Sequence, residues 1–343
     1  MKKFKYLLFI LLLLILLPLL SNKIIKTNFQ DLSSREKALL QDYENFYQKN
    51  PQLWNKYDLS QKTLVLVDKN AFGPLYIINP SENFLSPWAQ KITLPKNFQS
   101  RVFRVARSHP GRFQFILGNF NETGKDYSLL GQKDLFYVKA QKDSLASKYK
   151  STRFIPFLAH EAFHYYIQEG WKSLSFRGLS YSQEELQLLD KEYQVLDKLQ
   201  SQVEKTTPDP ILIKSLLKDY LAVMDQRVQH TNSEKLKAEL QEETIEGTAQ
   251  YVGIRAAQAT NYDLGILYFD NTKDVRFSDI LPALQAGKID QSLIGSHLVY
   301  ESGALLCFAL DKIDFPSWQE TLVEKNKSGP YTLYDLIKDH SQS

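Results

Sequence analysis

Hydrophobic and polar positions follow different patterns in successive parts of the chain, and the change predicts where strands give way to helices. Between about residues 62 and 140, short runs rich in β-branched and aromatic residues are separated by Gly, Pro and Asn clusters, which is typical of strands joined by turns. We therefore predict a sheet of about five strands, formed by the runs TLVLVD, PLYII, RVFRVA, RFQFILG and LFYVKA, with a hairpin turn at HPGR.

After residue 140, apolar residues recur at helical spacing, so the rest of the chain is predicted to be mainly helical. Ser182, followed closely by two glutamates, is predicted to cap a long helix. Another helix is predicted before the sheet, capped by Ser33 or Ser34. The pattern therefore predicts an α+β fold, with an N-terminal mixed sheet lobe and a mainly helical C-terminal lobe.

The first 22 residues have the layout of a targeting segment. Lys2, Lys3 and Lys5 precede an apolar run from Tyr6 to Leu20, which is somewhat short for a membrane span of about 20 residues. No small-x-small cleavage motif follows the run. We predict a signal peptide or a retained signal anchor over residues 1–22, with the remaining chain outside the cytoplasm, either membrane-anchored in the cell envelope or secreted.

Composition narrows the class of protein. The chain has 343 residues, of which 43% are hydrophobic and 24% charged, as in an ordinary globular protein. The net charge of +3 comes from dispersed Lys and Arg, so no nucleic acid partner is expected. A single cysteine, Cys307, excludes an intrachain disulfide framework, and its apolar neighbours predict a small buried residue rather than a reactive thiol.

Three titratable residues interrupt the apolar stretch FLAHEAFHYY. His160 and His164 are four residues apart and share one helix face, while Glu161 projects about 100° from His160. This is the H-E-x-x-H arrangement, in which the histidines bind zinc and the glutamate is the general base. A chance match on a core helix would leave these polar groups buried without a partner. The motif therefore predicts one zinc ion per chain.

The predicted zinc ion needs a third protein ligand from the sequence that follows His164. The positions where a metzincin would supply its Gly and His hold Ile167 and Gly170, so the remaining common choice is a glutamate on a separate helix. In EETIEGTAQYVG (242–253), Glu246 and Glu243 are candidates, whereas Glu239 and Glu242 fit a solvated helix face.

At this segment the chain resembles the gluzincins, zinc peptidases whose third ligand is a helical glutamate. Their aminopeptidase branch carries E-G-x-A-x-Y, which is matched by Glu246, Gly247, Ala249 and Tyr251. The resemblance implies a zincin-like catalytic domain and Glu246 as the third ligand, with Glu243 as the runner-up. The small residues at positions 247 and 249 are expected to let this helix approach the H-E-x-x-H helix closely.

A second segment carries the same resemblance. YESGALL (300–306) is similar to the Y-x-K-G-A segment whose tyrosine hydrogen-bonds the developing oxyanion, although Ser302 stands where lysine is usual. The resemblance implies that role for Tyr300, shared with or replaced by His297 one turn earlier. It also implies that the strand LFYVKA is a sheet edge that pairs with an extended peptide substrate. The G-x-M-E-N segment is absent, and the gap from His164 to Glu246 is longer than usual, so aminopeptidase specificity is not implied.

The expected organisation follows from these segments. It comprises the signal segment (1–22), a helical linker region (27–60), a sheet-bearing lobe with the H-E-x-x-H helix (61–170), and a helical lobe with the third ligand (171–343).

The expected function is an exported, membrane-tethered zinc peptidase that acts on a peptide or protein. Two alternatives remain open. One is a zinc hydrolase of a non-peptide envelope substrate, and the other is a non-catalytic, zinc-containing surface binding protein. Glu161 argues against the second, because a structural zinc site needs no general base.

Overall fold

The computed structural model describes residues 26–68, 73–172, 180–269 and 272–342, together with residues 5, 6, 9, 10, 12 and 16. The expected signal peptide or anchor (1–22) therefore lies largely outside the described residues. Among the residues that are described, no helix is both long enough and apolar enough to cross a membrane.

The chain divides into two compact units, and each contains segments from different parts of the sequence. The first unit comprises Met1–Ser147, Thr152–Tyr165 and Ala259–Asn261. The second unit comprises Lys148–Ser151, Tyr166–Gln258 and Tyr262–Ser343.

The first unit is built on a mixed sheet. Its described residues form β1 (Thr63–Asp68), β2 (Leu75–Ile78), β3 (Ala89–Lys91), β4 (Val102–Val105) and β5 (Leu135–Ala140), in the order β3-β4-β2-β1-β5. β1 pairs with β5 in parallel, and the other pairs are antiparallel. With the many helices described below, this sheet confirms the α+β fold class.

One predicted strand is wrong. RFQFILG does not enter the sheet, because Pro110–Phe115 is a 3₁₀ helix. Pro110 sets a helical φ and has no N–H to donate to a strand, and the His109 side chain accepts a hydrogen bond from Gly111 N. HPGR thus begins a helical turn rather than a hairpin. The remaining strand, β3, was not predicted, since its sequence AQK lacks β-branched residues and it is held by pairing with β4.

Two α-helices in the described part of the first unit, α1 and α2, are anchored by their apolar faces. α1 (Ser34–Lys49) begins at the predicted cap, where Ser33 and Glu36 form a reciprocal capping box. α2 (Phe154–Tyr166) carries the H-E-x-x-H motif. Its Phe163 is fully buried, with ring centroids 4.9 Å from Trp54 and 6.0 Å from Tyr57. This aromatic contact fixes α2 within the unit.

The outer side of β5 is already paired. Lys139 N donates to Asn119 O at 2.7 Å, and Tyr137 N donates to Asn121 Oδ1 at 2.8 Å. The Asn121 amide in turn donates to Leu135 O at 2.9 Å. LFYVKA is an edge strand of the sheet, as expected, but the outward N–H groups of Tyr137 and Lys139 are already hydrogen-bonded to the preceding segment of the same chain and are not open to an extended peptide.

The second unit is mainly helical. Its described residues form α3 (Gln183–Val203), α4 (Pro210–His230), α5 (Ser233–Ala259), α6 (Ile280–Gln285), α7 (Val299–Lys312), α8 (Trp318–Ser328) and α9 (Leu333–Gln342). A π-helical turn, Ile294–Leu298, leads directly into α7. α3 begins after the predicted cap Ser182, which forms a capping box with Glu185.

Buried ion pairs join three of these helices. The Arg227 guanidinium donates to Glu192 on α3 and to Glu239 on α5, both at 2.6 Å, and all three residues are buried. The prediction that Glu239 lies on a solvated helix face is therefore wrong, because its partner on α4 could not be read from its own segment. This network fixes α5, which carries the candidate third ligand.

Candidate metal centre

The two histidines of the motif face each other along one side of α2. Their Nε2 atoms lie 3.1 Å apart, and both side chains are half-buried. The opposite face of the helix is apolar and buried through Leu158, Ala162 and Phe163. Packing of that face leaves the imidazoles directed away from the core, as the four-residue spacing requires.

A third side chain joins this pair. His160, His164 and Glu246 each offer one ligand atom, and these atoms all lie within 4.8 Å of one another. Tetrahedral metal bonds of about 2.0–2.1 Å place neighbouring ligand atoms about 3.3 Å apart, so the 3.1 Å between the imidazole nitrogens matches a shared ion. Two imidazoles and one carboxylate form a donor set that can hold a metal ion. Glu161 and Glu243 do not belong to this group.

Glu246 occupies a turn of α5 that approaches another helix without intervening side chains. A Cβ added to Gly247 would lie 2.5 Å from Gly303 Cα on α7. Gly247 therefore permits a close approach of α5 to α7, a contact that the sequence did not predict. The segment 246–247 on α5 and the segment 302–304 on α7 are therefore in direct backbone contact within the second unit.

Glu243, the runner-up ligand, is engaged within the second unit. The Ser302 hydroxyl donates to its Oε1 at 2.5 Å, and the Tyr220 hydroxyl lies 3.4 Å from its Oε2. Burial raises the pKa of this carboxyl to about 8, and the neighbouring Glu192 carboxylate acts in the same direction. With these two partners, the buried Glu243 carboxyl is a structural group of the second unit.

Glu301 is a second buried carboxyl that sequence reasoning did not single out. Gln250 Nε2 donates to its Oε1 at 3.0 Å, and Leu267 N donates to its Oε2 at 2.7 Å. Burial raises the pKa of Glu301 to about 7, although both hydrogen bonds act in the opposite direction. Its position in the apolar run VYESGALLCFAL was the available signal, because an acid at a buried helix position needs partners.

The two candidate oxyanion donors are neighbours. The rings of His297 and Tyr300 are stacked, with centroids 6.4 Å apart. His297 is exposed on the π-helical turn, and its Nδ1 lies 2.8 Å from Ser296 Oγ. Tyr300 is half-buried in the first turn of α7. A phenol and an imidazole are thus presented together, and both can donate a hydrogen bond.

His230 and Cys307 lie in different surroundings from the candidate ligands. His230 ends α4 and pairs with Glu184 at 2.9 Å on the exposed surface. Cys307 is fully buried, and burial raises the pKa of its thiol, so it is an unreactive core residue as predicted.

Comparison with protein-family models, with curated proteins and with solved structures finds no match for this chain.

Proposed function

We propose that the protein is an exported, membrane-tethered zinc peptidase with a zincin-like catalytic domain of the gluzincin type. The observation that carries the proposal is the convergence of His160, His164 and Glu246, whose ligand atoms lie within 4.8 Å of one another. The second support is chemical, since the residue after His160 is a glutamate, as amide hydrolysis at such a centre requires.

Zinc is the metal that best suits two imidazoles, one carboxylate and an open fourth position. When bound, it would polarise a carbonyl group and lower the pKa of a water molecule to about 7.

The chain's own residues supply the remaining steps. The Glu161 carboxylate accepts a proton from the attacking water and passes it to the nitrogen of the leaving amine. The Tyr300 hydroxyl donates a hydrogen bond to the oxygen that becomes negative when the scissile carbonyl is attacked, and the imidazole of His297 shares or replaces that bond. The proton transfer to Glu161 and the hydrogen bond from Tyr300 both stabilise the transition state more than the bound substrate. Loss of either interaction should therefore lower kcat.

Three variants separate the ligand role from the catalytic role. Glu161→Gln should retain one zinc per chain and lose about 10²–10⁴-fold in peptide hydrolysis, because only the proton acceptor is removed. Glu246→Ala should lose zinc affinity, because the donor set falls to two imidazoles. Glu234→Gln is the matched control, since this residue lies on the same helix with its side chain 74% exposed, and it should change neither property.

The assay is zinc content by metal analysis together with turnover on a peptide library and on non-peptide envelope polymers. Peptide cleavage that survives Glu161→Gln would contradict the mechanism. Turnover of a non-peptide polymer alone would replace the peptidase with another zinc hydrolase, and zinc binding with no turnover of either class would indicate a binding protein.

A further inference from the structure

Helices α5 and α7 touch through their backbones at one point. The point of contact is Gly247 on α5 and Gly303 on α7, where a Cβ on Gly247 would lie 2.5 Å from Gly303 Cα. Real Cβ atoms do not approach other atoms so closely, so any larger residue at position 247 would force the two backbones apart. The glycines therefore set the distance between the helices but do not fix their rotation or their relative shift.

Two buried hydrogen bonds on either side of the contact fix the rotation. Ser302 on α7 donates to Glu243 on α5 at 2.5 Å, and Gln250 on α5 donates to Glu301 on α7 at 3.0 Å. All four residues are buried, with exposures of 4–6%. Water cannot replace a broken bond at such positions, so each pair resists sliding of one helix along the other.

Glu246 and Tyr300, the two residues with proposed roles, lie close to these hydrogen-bonded pairs in the sequence. Glu246 is three residues after Glu243 and four before Gln250, so it sits on the turn between the two hydrogen-bonded positions of α5. Tyr300 immediately precedes Glu301 on α7. A ligand and a hydrogen-bond donor that must act on the same reacting group are thus carried by two helices that are joined next to both of them.

We propose that Glu243–Ser302 and Gln250–Glu301 are positioning pairs, which hold the third metal ligand Glu246 and the oxyanion donor Tyr300 in one fixed relation. This inference rests on the proposed function. It also explains the serine found where the resembling Y-x-K-G-A segment has lysine, because position 302 faces the buried carboxyl of Glu243 and its hydroxyl satisfies that carboxyl at close range.

The chain contains a matched control for the Ser302 bond. In the first unit, the Ser100 hydroxyl donates to the Glu44 carboxylate, and both of these residues are also buried. Ser302→Ala and Ser100→Ala therefore remove the same group from the same kind of bond at the same burial. A purely structural role predicts that both variants lose some thermal stability and that neither changes zinc binding.

The positioning role predicts a different result for Ser302→Ala alone. Its zinc affinity, measured by chelator competition, should fall about tenfold relative to Ser100→Ala, as is usual when a group that orients a metal ligand is removed. At saturating zinc its kcat should also fall about tenfold with little change in KM. The reason is that a displaced Tyr300 weakens a hydrogen bond that is made in the transition state and not in the bound substrate. Unfolding temperatures of the metal-free variants show whether both remain folded.

A conservative substitution provides the rescue. Glu243→Gln keeps an oxygen that accepts the Ser302 hydrogen bond, and the raised pKa of Glu243, about 8, makes a neutral amide a close substitute near pH 7. It should retain zinc affinity within about threefold, whereas Glu243→Ala should lose as much as Ser302→Ala. Gly247→Ala is the more direct perturbation, but the crowding at that contact threatens folding, so the Ser302 and Glu243 variants carry the test.

Each outcome has a definite meaning. Equal zinc affinity and equal kcat in Ser302→Ala and Ser100→Ala would overturn the positioning role and leave the proposed function intact. Wild-type protein that binds zinc but hydrolyses no substrate would overturn the proposed function alone, and zinc affinity would still decide the positioning of Glu246. Wild-type protein that binds no zinc would overturn both.

Discussion

Glu301 should make the stability of the protein depend on pH in a defined direction. Its side chain is enclosed between α7, α5 and the backbone of Leu267, and burial raises its pKa from the usual 4.5 to about 7. The folded protein therefore keeps a proton that the unfolded chain releases at lower pH. The free energy of unfolding should accordingly fall as pH rises from about 4.5 through about 7, and then stay at the lower level.

The size of this effect follows from the same two values. One pKa unit corresponds to about 1.4 kcal/mol, so the difference between 4.5 and about 7 amounts to about 3 kcal/mol. Glu301→Gln removes the ionisation but keeps the shape of the side chain. Its amide can accept from Leu267 N and donate to Gln250 after that residue's amide turns over. The variant should therefore escape the loss of stability that the wild type suffers.

The assay is denaturant unfolding of metal-free protein between pH 4.5 and 8.5, followed by helical circular dichroism. A chelator is present throughout, because zinc binding has its own pH dependence. The stability of Glu301→Gln relative to the wild type should rise by about 3 kcal/mol across this range. Glu234→Gln, whose side chain is exposed, should run parallel to the wild type. Parallel curves for Glu301→Gln as well would show that Glu301 ionises alike in the folded and unfolded states, which is the opposite of the expected result.

Further predictions concern other parts of the molecule. Arg227→Met should lower the free energy of unfolding by about 3–5 kcal/mol in denaturant titrations, because it leaves two buried glutamates without their cation. Phe163→Ala should cost about 3–5 kcal/mol in the same assay, since it opens a cavity beneath the H-E-x-x-H helix. Tyr300→Phe should keep zinc by metal analysis while kcat falls about 10²–10³-fold. Protease added to intact cells should digest the catalytic region, which should sediment with membranes; full protection would contradict export.

Features that depend on residues close together in the chain could be predicted from the sequence. Ser182 was predicted as a cap, and Ser33 was one of two candidates for the other cap, because a capping box involves residues only three positions apart. The paired histidines were equally local, since one helical turn places them together. RFQFILG was misread because its aromatic content resembles a strand, whereas Pro110 and the His109 cap favour a helical turn. β3 exists only through its partner strand, so its own three residues could not reveal it.

Contacts between distant segments could not be derived in the same way. Gly247 signalled a close approach, but the identity of Gly303 as its partner depends on how α5 and α7 cross. Glu239 was predicted to be solvated because its partner Arg227 lies twelve residues earlier, on a different helix, and could not be recognised from the segment around Glu239. The buried state of Glu301 likewise depends on Gln250 and on a backbone amide from a separate loop.

The proposed function requires one zinc ion held by His160, His164 and Glu246. Its most direct test is a crystal structure of the zinc-loaded protein with anomalous data collected on both sides of the zinc absorption edge. We expect one anomalous peak per chain, about 2.0–2.2 Å from a nitrogen of each histidine and from an oxygen of Glu246, with Glu161 outside the bonding distance. A zinc-loaded crystal with no peak at these residues, or a peak ligated by Glu243 or directly by Glu161, would contradict it.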